Sequence, residues 1–390
     1  MPGFRYLKRL DWALFSAVLA LCVFGLVMIH SATREAHAVG WVAPSQYVIK
    51  QALWLLISLV GFFLAVLLGY RPIARWHGPI YLAATALLIA VLKIGKSPTG
   101  ATSWIALDGF RLQPSEFAKL AVILSLAAFV ARRTGSVSEA GVVMRALAIA
   151  VVPVVLVLGQ PDFGTALVIL AIWFGALYLA GAKARHLGLV LVGGLALFAL
   201  MWNLDRLPEA RLRSPLGRVM AQARLREYQK RRLTIFLNPQ ADPTGAGYQV
   251  IQSRIAIGSG QLLGRGLFHS TQSRLHFIPE QRTDFIFSVV GEELGFLGCT
   301  AMLALYFFVF WRGLRIALRA RDPLGSLLAA GIVSMLVFHT IVNIGMSVNL
   351  MPITGLPLPF VSYGGSNLLV SLIAFGLLQS VHMHRDSAIF

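Results

Sequence analysis

The sequence predicts an all-α polytopic membrane protein: about ten transmembrane helices and one large extracytoplasmic loop containing an interfacial helix. Three observations predict it. Of 390 residues, 57% are hydrophobic and only 13% charged, whereas a soluble domain carries roughly a quarter charged. The apolar residues gather into ten runs, at 12–30, 48–69, 77–92, 116–131, 146–159, 163–181, 187–203, 285–311, 324–343 and 366–382, and about 20 such residues cross a bilayer. One long interval, 204–284, separates the seventh run from the eighth. No internal repeat or low-complexity linker divides the chain, so it reads as a single integral membrane domain, 1–390, with the loop inside it.

The first run follows Arg5, Lys8 and Arg9. It exceeds the roughly 7–15 apolar residues of a secretory signal and reads as an uncleaved anchor. The third, fourth, fifth and tenth runs are short, and Lys119 interrupts the fourth. Ten spans place both termini on one side. The N-terminal cations, Arg71, Arg75, Arg132, Arg133, Arg145, Lys183, Arg185, Arg312, Arg315, Arg319, Arg321 and Arg385 fall on that side, against Arg34, Lys93, Lys96 and Arg111 in the short loops opposite. The excess of lysine and arginine makes the termini cytoplasmic.

The net charge of +18 is spread between apolar spans and forms no single patch or basic helix. It therefore points away from nucleic acid and toward anionic membrane lipids and phosphate-bearing substrates. Cys22 and Cys299 lie inside apolar runs without metal-ligand spacing and read as packing residues. The 204–284 loop holds thirteen basic residues against six acidic ones, and loops of this length are exempt from the charge rule. Its 219–237 segment mixes arginines with leucine, isoleucine and phenylalanine, the composition of a helix lying in the membrane interface.

Every polar motif falls on the outer face of this topology, where loops can build one site. In TGATSWIALDGFRLQPSEFAK (99–119), Ser115 is a candidate N-cap, and Glu116 and Lys119 share a helix face. In GQPDFGT (159–165), Asp162 sits at a helix start, where an acid suits the dipole. The 247–266 stretch offers Gln249, Ser253 and Arg254 beside a weak Gly-Ser-Gly signal. In 343–367, Ser362, Gly364, Gly365 and Ser366 mark a glycine-rich helix start suited either to an anion or to a plain tight turn. The 270–296 stretch carries Arg282, Asp284, Glu292 and Glu293 directly into an apolar run. An acid at that level carries a functional reading first, and Asp284 lies where the polar loop becomes apolar. Glu292 and Glu293 read as helix-packing groups. Outer carboxylates, arginines and a glycine-rich anion site fit a lipid-linked diphosphate sugar. One carboxylate can serve as general base on the attacking hydroxyl, and positive charge assists the diphosphate leaving group. Arg111, Lys119, Arg254 and Arg282 are candidates for that charge. No cofactor is demanded; a divalent cation, Mg or Mn, would serve the same end, with its ligands unassigned.

PEQRTDFIFSVVGEELG, GYQVIQSRIAIGSG, QPDFGTAL, LQPSEFAKL and GLPLPFVSYGGS together resemble the SEDS family of cell-wall polymerases, the relatives of RodA and FtsW. The motifs keep the family's order, and QSRIAIGSG with the Pro352-Gly355 step is more similar to the RodA branch that elongates rod-shaped cells. The resemblance implies a bacterial peptidoglycan glycosyltransferase that polymerises lipid II at the outer face of the cytoplasmic membrane, releasing undecaprenyl diphosphate. It implies Asp284 as the catalytic residue, Glu116 and Trp104 as functionally sensitive, and a class B penicillin-binding protein as partner. Glu116 would position the base or bind a metal. Two departures stand out: Gln261 follows GSG where a glycine is common, and Asn367 follows GGS where a small residue is usual. A lipid II flippase is the main alternative, and a non-catalytic scaffold the third; the flippase leaves the one-sided clustering of motifs unexplained.

Overall fold

The computed structural model describes residues 8–34, 44–94, 103–107, 110–203, 227–242, 245–270 and 278–385. Thirteen helices are described: α1 (Trp12–Thr33), α2 (Pro44–Leu68), α3 (Tyr70–Arg75), α4 (His77–Ile94), α5 (Pro114–Ala131), α6 (Ala140–Gly159), α7 (Phe163–Leu179), α8 (Ala184–Asn203), α9 (Glu227–Leu237), α10 (Ala246–Ser259), α11 (Ile286–Leu318), α12 (Pro323–Ser347) and α13 (Gly365–Met383). Eight are long and apolar enough to cross a membrane, and α4 and α7 are shorter apolar helices. Each of the ten expected spans has its helix. The described part of the interfacial segment is α9; residues 219–226 lie outside the described residues.

Three differences from the sequence reading matter. A two-stranded hairpin, β1 (Ile105–Leu107) with β2 (Phe110–Leu112), precedes α5; strands of three residues are too short to carry a readable alternation. Ser115 is not the cap of α5: Gln113 is the N-cap and Pro114 fills the first turn, where its missing N–H costs nothing. The eighth span, 285–311 by its apolar run, begins at Ile286 and continues to Leu318, past Arg312 and Arg315.

The bundle is layered by burial. Helices α5, α12 and α13 form its centre, whereas α8 buries only Leu187. In lipid, association rests on close packing and polar ties rather than hydrophobic burial. Phe62 of α2 stacks on Phe375 of α13 at 5.3 Å. At one end of the bundle, Asp11 caps α1 through the Leu14 N–H and receives Arg312 at 2.6 Å. Near it, the Asp322 carboxylate caps α12 and binds Arg71 at 2.8 Å.

Helix α11 is broken at Gly295, whose φ of 63° lies in the left-handed region. The loop after α10 enters the break. Arg265 and Gly266 donate backbone N–H to the carbonyls of Glu292 and Glu293, and Phe296 and Leu297 donate to Gln261 and Leu262. Both helical halves thereby satisfy backbone groups that the break would orphan. A Cβ on Gly260 would sit 1.9 Å from the Gly291 carbonyl, so only glycine permits this approach. Gln261 pays for the same turn with a φ of 48°, which explains why a glycine suits that position. Cys22 and Cys299 are free and buried.

Candidate active site

Asp284 ends a turn whose chain is tied down on both sides. Asn343 of α12 donates to the Asp284 carbonyl at 2.8 Å and to the Leu356 carbonyl at 2.7 Å, joining the two segments that flank the carboxylate. The Ser362 hydroxyl donates to the Thr283 carbonyl and accepts from the Leu358 N–H. Tyr363 N–H donates to the Arg282 carbonyl, and the Arg282 guanidinium lies over the Tyr47 ring at 4.3 Å. The backbone of Gly355 runs against the acid: a Cβ there would stand 3.4 Å from Asp284 Oδ2. Arg232 of α9 reaches the same loop, donating to the Thr354 carbonyl at 3.1 Å.

The Asp284 carboxyl is half-buried. Burial pushes its pKa from the ordinary 3.8 up to about 7, aided by the charge of Glu280 and, less, of Asp162; the Arg232 charge and a Thr283 hydrogen bond oppose the rise. A carboxylate so poised holds or yields a proton near neutrality, as general-base chemistry requires. Beside it, Phe163, Phe198, Leu233, Pro352 and Ile353 line a small, mostly apolar cleft with Arg232.

Glu116 and Lys119 occupy a different environment from the one expected. They pair at 2.8 Å with side chains 2% and 1% exposed, so neither offers a surface to a diphosphate. Lys119 Nζ also meets His339 Nε2 at 2.8 Å, and Asn367 donates to the second Glu116 oxygen at 3.0 Å. His339 and Asn343 stand one turn apart on α12, so one helix face links this buried pair to the Asp284 turn. Asn367, the residue that departs from the family's small side chain, is what fills the fourth place in this cluster.

The remaining candidates divide clearly. Asp162 is the N-cap of α7; its carboxylate accepts from Thr165 N–H, the Thr165 hydroxyl, Gln113 and Ser115. Capping accounts for the two Thr165 bonds, and those from Gln113 and Ser115 tie the start of α7 to the start of α5. The start of α13 is covered: the Gly364 N–H donates to Gln51, and a Cβ on Gly365 would fall 2.1 Å from the Trp54 ring. Ser366 accepts from the Gln113 N–H and donates to the Arg111 carbonyl, tying α13 to the hairpin. These residues make a packed turn rather than an open anion cradle. Ser253 is buried and donates to the Ser347 carbonyl at 2.8 Å. Trp104, Arg111 and Arg254 are exposed, and Gln249 and Arg282 are half-buried. Glu293 is buried and accepts from the Ser31 hydroxyl and the Phe268 N–H, as expected of a helix-packing acid. Among the described residues no three His, Cys, Asp or Glu side chains converge as metal ligands would.

Sequence reasoning missed His339, Asn343 and Arg232. His339 is an ionisable residue inside an apolar span, and its spacing of four from Asn343 was the available signal.

The chain is similar to known proteins over nearly its whole length. The family profile described as cell cycle protein, covering FtsW, RodA and SpoVE, matches residues 12–387. The chain belongs to the FtsW/RodA/SpoVE family. The peptidoglycan glycosyltransferase MrdB of Escherichia coli K12 is 37% identical over 379 residues, 97% of this chain and 94% of MrdB. The probable peptidoglycan glycosyltransferase FtsW of Trichlorobacter lovleyi is 35% identical, over 96% of this chain and 93% of that protein. Among solved structures, the chain superposes on Thermus thermophilus RodA with a TM-score of 0.67 at 29% identity, covering 97% of this chain and 98% of RodA. It superposes on a chain of a peptidoglycan synthase complex, described as coordinating polymerization and crosslinking, with a TM-score of 0.76 at 31% identity, covering 97% and 99%.

Proposed function

We propose that this multi-pass membrane protein is a peptidoglycan glycosyltransferase of cell-wall synthesis, polymerising lipid II with undecaprenyl diphosphate as leaving group. Asp284 is the general base. Its carboxylate takes the proton of the acceptor hydroxyl as that oxygen bonds the donor's anomeric carbon with inversion, and the diphosphate departs with the electron pair of the broken bond. The observation that carries the assignment is a half-buried carboxyl with a pKa near 7, held by the Asn343 side-chain amide, which donates to both the Asp284 and the Leu356 carbonyls. Arg232 and Arg282 supply the positive charge that stabilises the departing diphosphate. Glu116, Lys119, His339 and Asn343 position the turn from inside the bundle.

The end bearing Asp284 faces outward and the end bearing Asp11 and Asp322 faces the cytoplasm, which the distribution of arginine and lysine supports. The polymerase acts in cell elongation beside a class B penicillin-binding protein that cross-links its product. The likeness to a chain of a peptidoglycan synthase complex supports such a partner.

The test is polymerisation of labelled lipid II by the purified protein, with and without the partner. Polymer made by the parental protein and lost in a folded Asp284→Ala variant is the expected result. Polymer formed by Asp284→Ala at the parental rate would remove Asp284 from the mechanism. Lipid II crossing vesicle membranes without polymer forming would support transport instead.

A further inference from the structure

We propose that the cavity at the end of the bundle away from Asp284 binds the phosphate headgroup of an anionic phospholipid. Three helices converge on it, with Asp11 at the start of α1, Arg312, Arg315 and Arg319 near the end of α11, and His382 and Arg385 at the end of α13. Its volume of about 40 Å³ accommodates roughly three water-sized groups, the scale of one phosphate.

The charge selects the ligand class. Among the described residues lining the cavity, four guanidinium groups accompany one carboxylate, and that carboxylate already receives Arg312 at 2.6 Å and the Leu14 N–H at 3.1 Å. Burial raises the Asp11 pKa, but the Arg312 and Leu14 hydrogen bonds outweigh it and hold the carboxyl below its usual range. Asp11 thus remains ionised and fixes Arg312. Arg315 is steadied by the Trp311 ring, 4.0 Å from its guanidinium carbon. Pre-set guanidinium forks suit phosphate oxygens.

Helix-dipole compensation explains cations at the end of α11. It explains His382 and Arg385 at the end of α13 in the same way; the two helix ends meeting at one cavity is what gathers these cations around a single space.

The neighbouring surface selects lipid over a soluble anion. Phe307, Trp311, Leu314 and Leu318 are 71%, 40%, 42% and 65% exposed. Their spacing of four, three and four lines one face of α11. This apolar stripe runs along the helix to the level of Arg315 and Arg319, with a tryptophan where membrane interfaces favour one. A phospholipid can lay its acyl chains on the stripe and its phosphate in the cavity.

The experiment is native mass spectrometry of the full chain after equilibration with equal phosphatidylglycerol and phosphatidylcholine, with inorganic phosphate in a parallel arm. The parental protein is expected to retain phosphatidylglycerol preferentially. Arg315→Gln/Arg319→Gln, two exposed positions, is expected to lose that preference by about tenfold, the worth of one charge-assisted hydrogen bond. Arg315→Lys/Arg319→Lys should retain part of it, and Arg132→Gln, at an exposed arginine outside the cavity, should retain all. Equal retention of the two lipids, a preference that survives in the double glutamine variant, or an equal loss in Arg132→Gln overturns the proposal. Saturable phosphate binding without lipid preference also overturns it, assigning the cavity to a free anion.

Discussion

Glutamine at Glu280 is expected to move the pH dependence of polymerisation to lower pH without abolishing activity. With the Asp284 pKa at about 7, the ionised fraction is about 9% at pH 6 and about 91% at pH 8, so a base-limited rate rises roughly tenfold across that range. The Glu280 charge helps hold the pKa up, and Glu280 itself is exposed. A screened charge of this kind is worth about half a pH unit. Its removal should raise the rate at pH 6 a little over twofold and leave the rate at pH 8.5 nearly unchanged. Arg232→Gln shifts the midpoint the opposite way: the Arg232 cation lowers the Asp284 pKa, so its loss should move the midpoint up by about half a pH unit, in addition to a pH-independent loss of rate from the missing leaving-group charge. The assay is initial-rate polymerisation of labelled lipid II from pH 5.5 to 8.5, at saturating partner. A flat parental profile, or a Glu280→Gln midpoint that stays put or rises, would refute Asp284 as the titrating base.

Asp284→Asn should lower the polymerisation rate by about 10²–10⁴ while raising the apparent Tm. The folded pKa lies above the unfolded value of 3.8, so ionisation costs stability as pH rises from about 4 to 7, and the cost is full above that. The displacement converts to about 4 kcal/mol, which partial solvent access reduces to about 1–2 kcal/mol; no gain at pH 8 relative to pH 5 would count against a destabilised carboxylate. Glu116→Gln should destabilise by about 3–5 kcal/mol because it strands the Lys119 charge, and adding Lys119→Met should recover most of the loss; equal Tm values for the single and double variants would show the pair uncoupled. Gln261→Gly should stabilise by about 1 kcal/mol by relieving a left-handed φ, checked by thermal unfolding, and a fall in Tm would mean that the glutamine side chain matters more than its backbone.

The spans were legible because length and apolarity are local properties. Their ends were less so. Arg312 and Arg315 break an apolar run by composition, yet α11 continues through them, since long cationic side chains at a helix end reach back to water. Asp284 could be singled out because an acid entering an apolar run is costly on sequence grounds alone. Whether Glu116 and Lys119 face substrate or one another could not be read, because spacing of three sets their mutual reach but not their exposure. The same limit applies to Gly365: a glycine at a helix start suits an anion or an indole equally well, and Trp54 comes from 311 positions earlier in the sequence. Asn367 and Gln261 were visible only as departures; the Glu116 hydrogen bond and the loop inserted at Gly295 give each a physical setting.

The break at Gly295 divides α11 unequally. At 1.5 Å per residue the 33-residue helix is about 50 Å long, but the portion after Gly295 measures about 35 Å and is enough to cross the bilayer alone. The short portion before it is stapled to the inserted loop and to Ser31 of α1. When the bilayer thins or thickens by a few ångströms, the long portion can change its tilt, pivoting on a joint whose backbone groups are already paired. Asp284, the proposed base, sits on the anchored side of that pivot. Membrane mechanics is thereby isolated from the chemistry, and turnover should vary little with lipid acyl-chain length.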